Sequence, residues 1–259
     1  MDGSRLEVSL AAPAYNEGEG IEEVVTEWVT YLRARLSPGS FEIVICNDGS
    51  KDDTGAVLDR LAVRYPELKP VHHARNQGAS AALITAIRST TKAWVLLIDS
   101  DGQFPVDNLD RFLAAWDEDV DAYLGVRPDK KDKLFSRAGS WASGQMCNVI
   151  HRSHFRDFNS AFKLVRGPLL RAMRLEAKGL NYSTEATSRL IESGARLKEV
   201  NVTHRPRVRG QSSMRLLRGG MHRGLFVSYL GMRQLLLRME VISPGSPAPP
   251  AARAEDRSS

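Results

Sequence analysis

Two aspartates with one residue between them, Asp99 and Asp101, follow the apolar run WVLLI at residues 94–98. Carboxylates at the tip of a buried strand can both turn into one crevice, where they would share a divalent cation with a diphosphate. Their hard oxygen atoms favour Mg²⁺ or Mn²⁺. The letters DSDG also suit an ordinary turn, because Asp, Ser and Gly are common in loops. The pair alone therefore leaves a metal site and a turn both open.

Strand-length apolar runs alternate with helical patterns along the first half of the chain. Strands are predicted at 6–13, 41–48, 69–73, 93–99 and 121–126. Helices are predicted at 19–36, 54–65 and 78–90. This alternation is typical of βαβ units and predicts an α/β fold, a Rossmann-like αβα sandwich with a mainly parallel central sheet.

Polar stretches begin at four of the predicted strand ends. They are PAYNE from residue 13, NDGSKDD from residue 47, HARNQG from residue 73 and DSDGQ from residue 99. In parallel sheets, ligands bind beyond the carboxyl ends of the strands. The four stretches are therefore expected to converge on one crevice.

The second half of the chain has a looser pattern. Predicted there are helices at about 134–150, 167–175, 184–194 and 213–240, strands at 160–165 and 196–202, and a disordered tail at 243–259. Gly219 and Gly220 are expected to break the last helix near its start. We expect one domain over residues 1–242, with a nucleotide-sugar half at about 5–126 and an acceptor half at about 127–212.

Composition limits the classes of protein that fit. A chain of 259 residues that is 42% hydrophobic can bury a sizeable core. Cys46 and Cys147 match no metal-ligand spacing, so they are expected to be buried free thiols in a reducing, cytoplasmic compartment. We expect no export signal and no transmembrane segment.

Positive charge is concentrated in one zone. The net charge is +5, and arginines crowd between Arg196 and Arg238. Such a zone attracts phosphates. Nucleic acid is not an expected partner, because the zone lacks interleaved aromatic residues. The basic helix at 213–240 could lie on the inner face of the cytoplasmic membrane, pack on the domain or form a homodimer contact.

Eight motifs occur in an order and spacing that resemble a known family. They are PAYNEGEGI, VICNDGSKDDT, RNQGASAALITAI, VLLIDSDGQFP, GVR, DFNSAFKLVR, GLNYSTEATSRLIESGARLKEVNV and RVRGQSS. Together they resemble the inverting glycosyltransferases of family 2 with the GT-A fold. The branch they resemble contains the dolichyl-phosphate and polyprenyl-phosphate sugar synthases, such as dolichyl-phosphate mannosyltransferases.

The resemblance implies a nucleoside-diphosphate sugar as donor and a bound Mg²⁺ or Mn²⁺. The residues it places at the donor are Pro13, Tyr15, Glu17, Asp48 and Arg75, and those it places at the metal are Asp99, Asp101 and Gln103. Glu17 also suits the first turn of a helix, and Arg75 suits a solvated loop. The cluster Ser50, Asp52, Asp53 and Thr54 is more typical of a turn and helix cap. Asn47 stands where the family has an aspartate, which leaves the base of the nucleotide open.

The same resemblance implies roles in catalysis and acceptor binding. Asp101, Asp157 and Arg127 are the expected catalytic residues. The acceptor-side residues are Arg137, Glu185, Arg207 and Ser212. Glu185 also suits an early helix carboxylate. Ser213 replaces a lysine that is usual in the family.

The predicted reaction is inverting transfer from a nucleoside-diphosphate sugar, GDP-mannose first and a UDP-sugar second, to a polyprenyl phosphate. One alternative is a family 2 enzyme that acts on a soluble small-molecule or polysaccharide acceptor. Another is an inactive nucleotide-sugar-binding protein, because a fold does not fix a function. A nucleotidyltransferase is disfavoured, because the chain does not open on a glycine-rich basic phosphate loop.

Overall fold

The computed structural model describes residues 6–128, 134–177, 181–206 and 216–243, without the side chains of 134–140 and 216–223. The strands are β1 (Val8–Ala14), β2 (Phe41–Asn47), β3 (Leu68–His72), β4 (Trp94–Leu97), β5 (Ala122–Val126), β6 (Lys163–Arg166) and β7 (Leu197–Asn201). The helices are α1 (Ile21–Arg35), α2 (Thr54–Arg64), α3 (Ala79–Arg88), α4 (Asn108–Ala114), α5 (Leu134–His151), α6 (Gly167–Ala172), α7 (Tyr182–Glu192) and α8 (Leu216–Arg238).

All seven of these strands form one sheet in the order β3-β2-β1-β4-β6-β5-β7. β1 pairs in parallel with both β2 and β4, and β2 pairs in parallel with β3. β6 runs antiparallel to β4 and β5, whereas β5 and β7 are parallel. The chain therefore reverses its direction of travel across the sheet between β1 and β4, which opens a crevice at their carboxyl ends.

Burial explains why these segments become strands and helices. β2 and β4 are buried along their whole length, as expected for strands covered by helices on both faces. Helix α1 buries Ile21, Val25, Trp28, Val29 and Leu32, one stripe at helical spacing. Acidic residues in its first turn and arginines in its last turn complement the helix dipole. The predicted α/β sandwich with a mainly parallel sheet is confirmed.

Element positions agree with the sequence prediction except in two places. Each predicted strand is present, with bounds shifted by at most three residues. Helix α4 was not predicted, because seven residues are too few to show a clear helical period. The expected break at Gly219 and Gly220 is wrong, because α8 runs from Leu216 to Arg238 through both glycines. Each glycine costs about 1 kcal/mol in a helix, which packing against α5 can offset.

A second, smaller core holds α8 on the domain. It consists of Cys147, Phe158, Val227 and Leu230. Arg233 is fully buried beside this core, and its Nε donates to Glu192 at 3.1 Å. Arg233 is therefore not part of a basic surface on this helix, although it lies within the arginine-rich zone of the sequence.

Two findings bear on compartment and membrane. Cys46 and Cys147 are both buried free thiols, as predicted. In the part of the chain that the structure describes, no helix combines the length and apolar character needed to cross a bilayer.

A buried carboxylate links neighbouring strands at the edge of the sheet opposite the crevice. Glu42, at the start of β2, accepts hydrogen bonds from the Ser9 hydroxyl, from the Lys69 ammonium and from both the backbone N–H and the hydroxyl of Thr91. Burial alone would raise the pKa of Glu42, but the hydrogen bonds from Lys69, Ser9 and Thr91 outweigh it and lower the pKa to about 2.

Replacement of Glu42 by Gln should destabilise the fold in a pH-dependent way. The ordinary pKa is 4.5 and the folded value is about 2, so the charged form contributes about 3 kcal/mol above pH 4.5. That contribution is lost as the pH falls through 4.5 towards 2. Urea unfolding should therefore show a large difference between wild type and variant at pH 7 and a small one near pH 2. The exposed Glu7→Gln is the control, and equal effects of the two variants would contradict the assignment.

Candidate active site

The loop after β4 is fixed to the end of β1, next to the crevice. Ser100, between the two aspartates, is buried, and its hydroxyl donates to the Pro13 carbonyl oxygen at 2.8 Å. Pro13 lies in β1, and Tyr15 follows that strand, both partly buried. The fold thus brings the first and fourth polar stretches together, as predicted.

Asp99 and Asp101 lie close enough to influence one another. Burial and the neighbouring charge of Asp101 raise the pKa of Asp99 to about 6, although a Tyr182 hydrogen bond and the charges of Arg127 and Lys163 act in the other direction. The Tyr182 hydroxyl donates to Asp99 Oδ1. Asp101 Oδ1 accepts the backbone N–H of Gln103 at 3.0 Å. A cation placed between the two carboxylates would relieve their repulsion.

The donor set fits a hard divalent cation that also binds phosphate. In the described ranges, no group of three or more His, Cys, Asp and Glu side chains is arranged to hold a metal by itself. Mg²⁺ needs no such cage, because it is commonly held by one or two carboxylates together with substrate phosphates and water. Gln103 Nε2 points to the Arg205 carbonyl at 3.5 Å, so this contact uses the amide nitrogen rather than the oxygen. A metal contact from Gln103 stays a prediction.

The loop after β1 is joined to the loop after β2. Backbone N–H groups of Asn16 and Glu17 donate to the hydroxyls of Ser50 and Thr54, at 3.0 and 2.9 Å respectively. Asp52 accepts the N–H of Gly18 at 3.0 Å and that of Thr54 at 3.1 Å. Ser50, Asp52 and Thr54 therefore shape the loop that carries Glu17, which agrees with their interpretation as turn residues. Asp53 is at the N-cap of α2 but makes no side-chain capping hydrogen bond.

Asp48 holds the loop that follows β3. Its buried carboxylate accepts the N–H groups of Gln77 and Gly78, at 2.9 and 2.7 Å. The same carboxylate pairs with His73 Nδ1 at 2.8 Å. Asp48 thus organises the RNQG loop, and its predicted direct contact with ribose or base stays a prediction.

Gly49 allows the RNQG loop to lie close to the backbone that follows β2. It has φ +63°, and a Cβ at this position would lie 2.5 Å from the backbone carbon of Arg75. Only glycine fits such a backbone contact without strain. Arg75 itself is exposed.

Arg127 and Asp157 form a buried ion pair. Arg127 Nε and Nη2 donate to the two carboxylate oxygens at 2.7 and 3.1 Å, and its backbone N–H contacts Oδ2 at 3.3 Å. The Arg127 guanidinium also lies 5.7 Å from the ring centroid of Phe104. Two of the predicted catalytic residues are therefore brought together, with both Asp157 oxygens engaged by one arginine.

Two site residues were missed in the sequence. Lys163, on β6, is 1% exposed. Burial lowers its pKa to about 7, with Asp157 and Asp99 acting against the shift and Arg127 adding to it. Tyr182 opens α7 and reaches Asp99. Both belong to motifs that carry the family resemblance, so motif membership was the available signal.

Glu185 does not face the crevice as a free carboxylate. It is fully buried, and its oxygens accept the N–H groups of Glu176 and Ala177 at 2.7 to 2.9 Å. Arg189 Nη2 contacts it at 3.2 Å. Burial raises the pKa of Glu185, and these hydrogen bonds oppose the rise. Glu185 thus braces the segment before α7, and its expected acceptor contact stays a prediction.

The other three acceptor-side residues have no described side chains. Arg207 and Ser212 lie outside the described residues. Arg137 lies on α5, in the part whose side chains are not described. All three stay predictions.

A mainly parallel sheet with an Asp-x-Asp loop at its reversal point, flanked by polar loops after β1, β2 and β3, defines an α/β domain of the GT-A type. The model of the family described as glycosyl transferase family 2 matches residues 9–172, more than half of the chain. The chain belongs to glycosyl transferase family 2.

Similar sequences carry related names. The bactoprenol glucosyl transferase of Shigella phage SfX is 33% identical over 142 residues, covering 52% of this chain and 45% of that protein. Glycosyltransferase AglD of Haloferax volcanii is 28% identical over 240 residues, covering 90% of this chain and 37% of that protein. The chain thus spans less than half the length of these relatives.

Solved structures support the GT-A fold. The glucosyl-3-phosphoglycerate synthase of Mycobacterium tuberculosis, bound to Mn²⁺ and UDP-glucose, matches with a TM-score of 0.66 and 17% identity, covering 92% of this chain and 80% of that one. The mannosyltransferase PcManGT of Pyrobaculum calidifontis, bound to GDP-mannose and Mn²⁺, has a TM-score of 0.56 and 20% identity, covering 96% and 68% respectively.

Replacement of Asp157 by Asn should cost stability, because it leaves the Arg127 guanidinium without its carboxylate in a nearly buried site. We expect a loss of about 3 kcal/mol in the free energy of unfolding. The control is Asp119→Asn, which removes an exposed pair with Arg196 and should cost less than about 1 kcal/mol. Urea unfolding measures both. Similar losses in the two variants would show that the buried pair has no special weight.

Proposed function

We propose that this chain is an inverting, metal-dependent glucosyltransferase that moves glucose from UDP-glucose to a polyprenyl phosphate. The observation that carries the proposal is the position of the Asp99–Asp101 pair at the reversal point of the sheet, with Arg127, held by Asp157, close enough to act on Asp99. Sheets of this kind bind nucleotides beyond the carboxyl ends of their strands.

The donor is revised relative to the sequence prediction. GDP-mannose was preferred on the family resemblance alone. Relatives of this chain include a bactoprenol glucosyl transferase and a dolichyl-phosphate beta-glucosyltransferase of Trichomonas vaginalis, which support glucose as the sugar. Because Asn47 replaces an aspartate near the predicted base site, GDP-mannose is kept as an alternative donor in the test of this proposal.

In this proposal, the end of β1 and the loops after β1 and β3 bind the donor. Pro13, Tyr15 and Glu17 would line the nucleotide, with Arg75 at the rim. The divalent cation, bound by Asp99, Asp101 and the diphosphate, would offset the negative charge of the leaving group. Arg127 lies where a fixed positive charge can stabilise charge that develops in the transition state.

The state of Asp157 favours a phosphate acceptor. A hydroxyl acceptor generally needs a carboxylate to take its proton, and both oxygens of Asp157 are engaged by Arg127. A phosphate is already an anion at neutral pH and needs only positioning and charge compensation. In the proposed step, a phosphate oxygen forms a bond to the anomeric carbon while the bond to the UDP oxygen breaks on the opposite face.

Exposed apolar side chains on α5 and α8 support a peripheral contact with the membrane that would hold such an acceptor. Leu225 and Met232 on α8 and Met239 just after it are seven residues apart. The other exposed apolar residues of these two helices are Leu235 on α8 and Trp141, Met146 and Val149 on α5. The buried face of α8 packs on the domain, so this outward face is the one available to a bilayer. A homodimer contact through the same face is the competing proposal.

Release of nucleoside diphosphate should depend on Mn²⁺, UDP-glucose and a short polyprenyl phosphate together. GDP-mannose and UDP-N-acetylglucosamine serve as alternative donors, and 3-phosphoglycerate as a soluble acceptor. Asp101→Asn should lower kcat/KM by about 100-fold or more, because the cation loses a ligand next to the leaving group. The exposed Asp119→Asn should leave the rate unchanged.

Each other outcome has a distinct meaning. Release that does not respond to polyprenyl phosphate but rises with 3-phosphoglycerate would overturn the lipid acceptor and keep the glycosyltransferase. Binding of UDP-glucose without turnover on any acceptor would favour the inactive nucleotide-sugar-binding protein. Preference for GDP-mannose would return the donor to the sequence prediction.

A further inference from the structure

Tyr182 connects the acceptor half of the chain to the predicted metal site. It is the first residue of α7 and is 7% exposed. Its hydroxyl donates to Asp99 Oδ1 across 83 positions of sequence. A phenol hydroxyl has one hydrogen to donate, so this bond is directed at one carboxylate oxygen.

The start of α7 is held firmly in place. Ser183 Oγ donates to the Asn159 carbonyl at 3.0 Å, and Thr184 Oγ1 to Asn159 Oδ1 at 2.6 Å. One turn further on, Thr187 Oγ1 donates to the Phe158 carbonyl at 3.0 Å. The segment bonded to α7 directly follows Asp157. The Tyr182 ring is therefore carried on a helix that is fixed to the Arg127–Asp157 side of the crevice.

Buried charges hold the rest of α7. Arg189 contacts Glu185 at 3.2 Å and Glu192 at 3.1 Å, all three at least 96% buried by side-chain area. Arg233 of α8 contacts the same Glu192 at 3.1 Å. The helix that bears Tyr182 is thus anchored at both ends, so the hydroxyl is presented to Asp99 from a rigid support.

We propose that Tyr182 is a positioning residue, whose hydroxyl holds the Asp99 carboxylate in the orientation that binds the divalent cation and so couples α7 to donor binding. This inference rests on the proposed function, because it needs the cation at Asp99 and Asp101. Partners that orient a metal ligand without touching the metal commonly change metal affinity by about 10- to 100-fold when removed.

Tyr182→Phe removes only the hydroxyl, so it is the direct test. The matched control is Tyr31→Phe, which also deletes a hydroxyl that donates to an aspartate. Tyr31 lies on α1, outside the crevice, and its hydroxyl donates to Asp110 of α4 at 2.7 Å. Mn²⁺ binding is measured from the electron paramagnetic resonance signal of free Mn²⁺, with and without UDP. UDP binding is also measured in EDTA, and unfolding is followed without metal.

Tyr182→Phe should weaken Mn²⁺ binding by about 10-fold or more and leave UDP binding in EDTA unchanged. Tyr31→Phe should bind Mn²⁺ like wild type. If Tyr182→Phe binds Mn²⁺ within about twofold of wild type, the hydroxyl does not position the ligand and the inference is overturned. If wild type itself binds no Mn²⁺ with UDP, the proposed metal site fails instead.

A second measurement covers the case in which Tyr182→Phe does not fold. Mg²⁺ and inorganic pyrophosphate do not absorb in the near ultraviolet, so their binding can be followed by tyrosine difference absorbance. The spectra are recorded on wild type and on Tyr15→Phe, which lacks the tyrosine predicted at the nucleotide. A change in tyrosine absorbance on adding Mg²⁺ that survives in Tyr15→Phe supports the contact to Asp99. Absence of any change in wild type, with Mg²⁺ binding confirmed by calorimetry, would overturn it.

Discussion

A carboxylate taken out of water needs a hydrogen-bond donor or a cation for the oxygens that lose solvent, and this requirement governs the crevice edge of the sheet. Asp48 accepts hydrogen bonds from two backbone N–H groups and pairs with a histidine. Asp157 pairs with an arginine, and Glu185 accepts hydrogen bonds from two backbone N–H groups. Asp99 receives a tyrosine hydroxyl. The loops of the site follow from these pairings, because each carboxylate holds in place the segment that supplies its donor.

Most of these donors come from distant parts of the chain. Arg127 and Asp157 are 30 positions apart, whereas Tyr182 and Asp99 are 83 apart. Residues 6–126 alone would contain Asp99 but neither Tyr182 nor Arg127. A complete site therefore needs both halves of the chain to fold together, which makes the site a property of the domain rather than of its motifs.

The sequence predicted the sheet and the edge at which polar residues gather, because alternation of short apolar runs and helical patterns depends on local burial. It did not predict which partner each carboxylate takes. Glu185 has the same helical position whether it faces an acceptor or braces the segment before α7, and only long-range packing decides between them. Tyr182 was hidden for a similar reason, since a tyrosine at the start of a helix is as common in a core as in a site.

Local signals also misjudged α8. Gly219 and Gly220 lower intrinsic helix propensity, but propensity is a weak prior when tertiary contacts are available. Arg233 counts toward the arginine-rich zone of the sequence, yet it is fully buried beside Glu192. Charge counted along a sequence therefore overstated the positive surface of this helix.

The antiparallel direction of β6 has a consequence for how substitutions reach the site. Lys163 begins β6 opposite Leu97, the last residue of β4, so the segment from Asp157 to Phe162 runs into β6 against the direction of β4 and β5. The register of β1, β2 and β4 is set by their own parallel pairing, whereas Phe158 and Asn159 in this segment are bonded to α7. A change in this short segment would therefore be transmitted to α7, and through Tyr182 to Asp99, while the parallel strands keep their register.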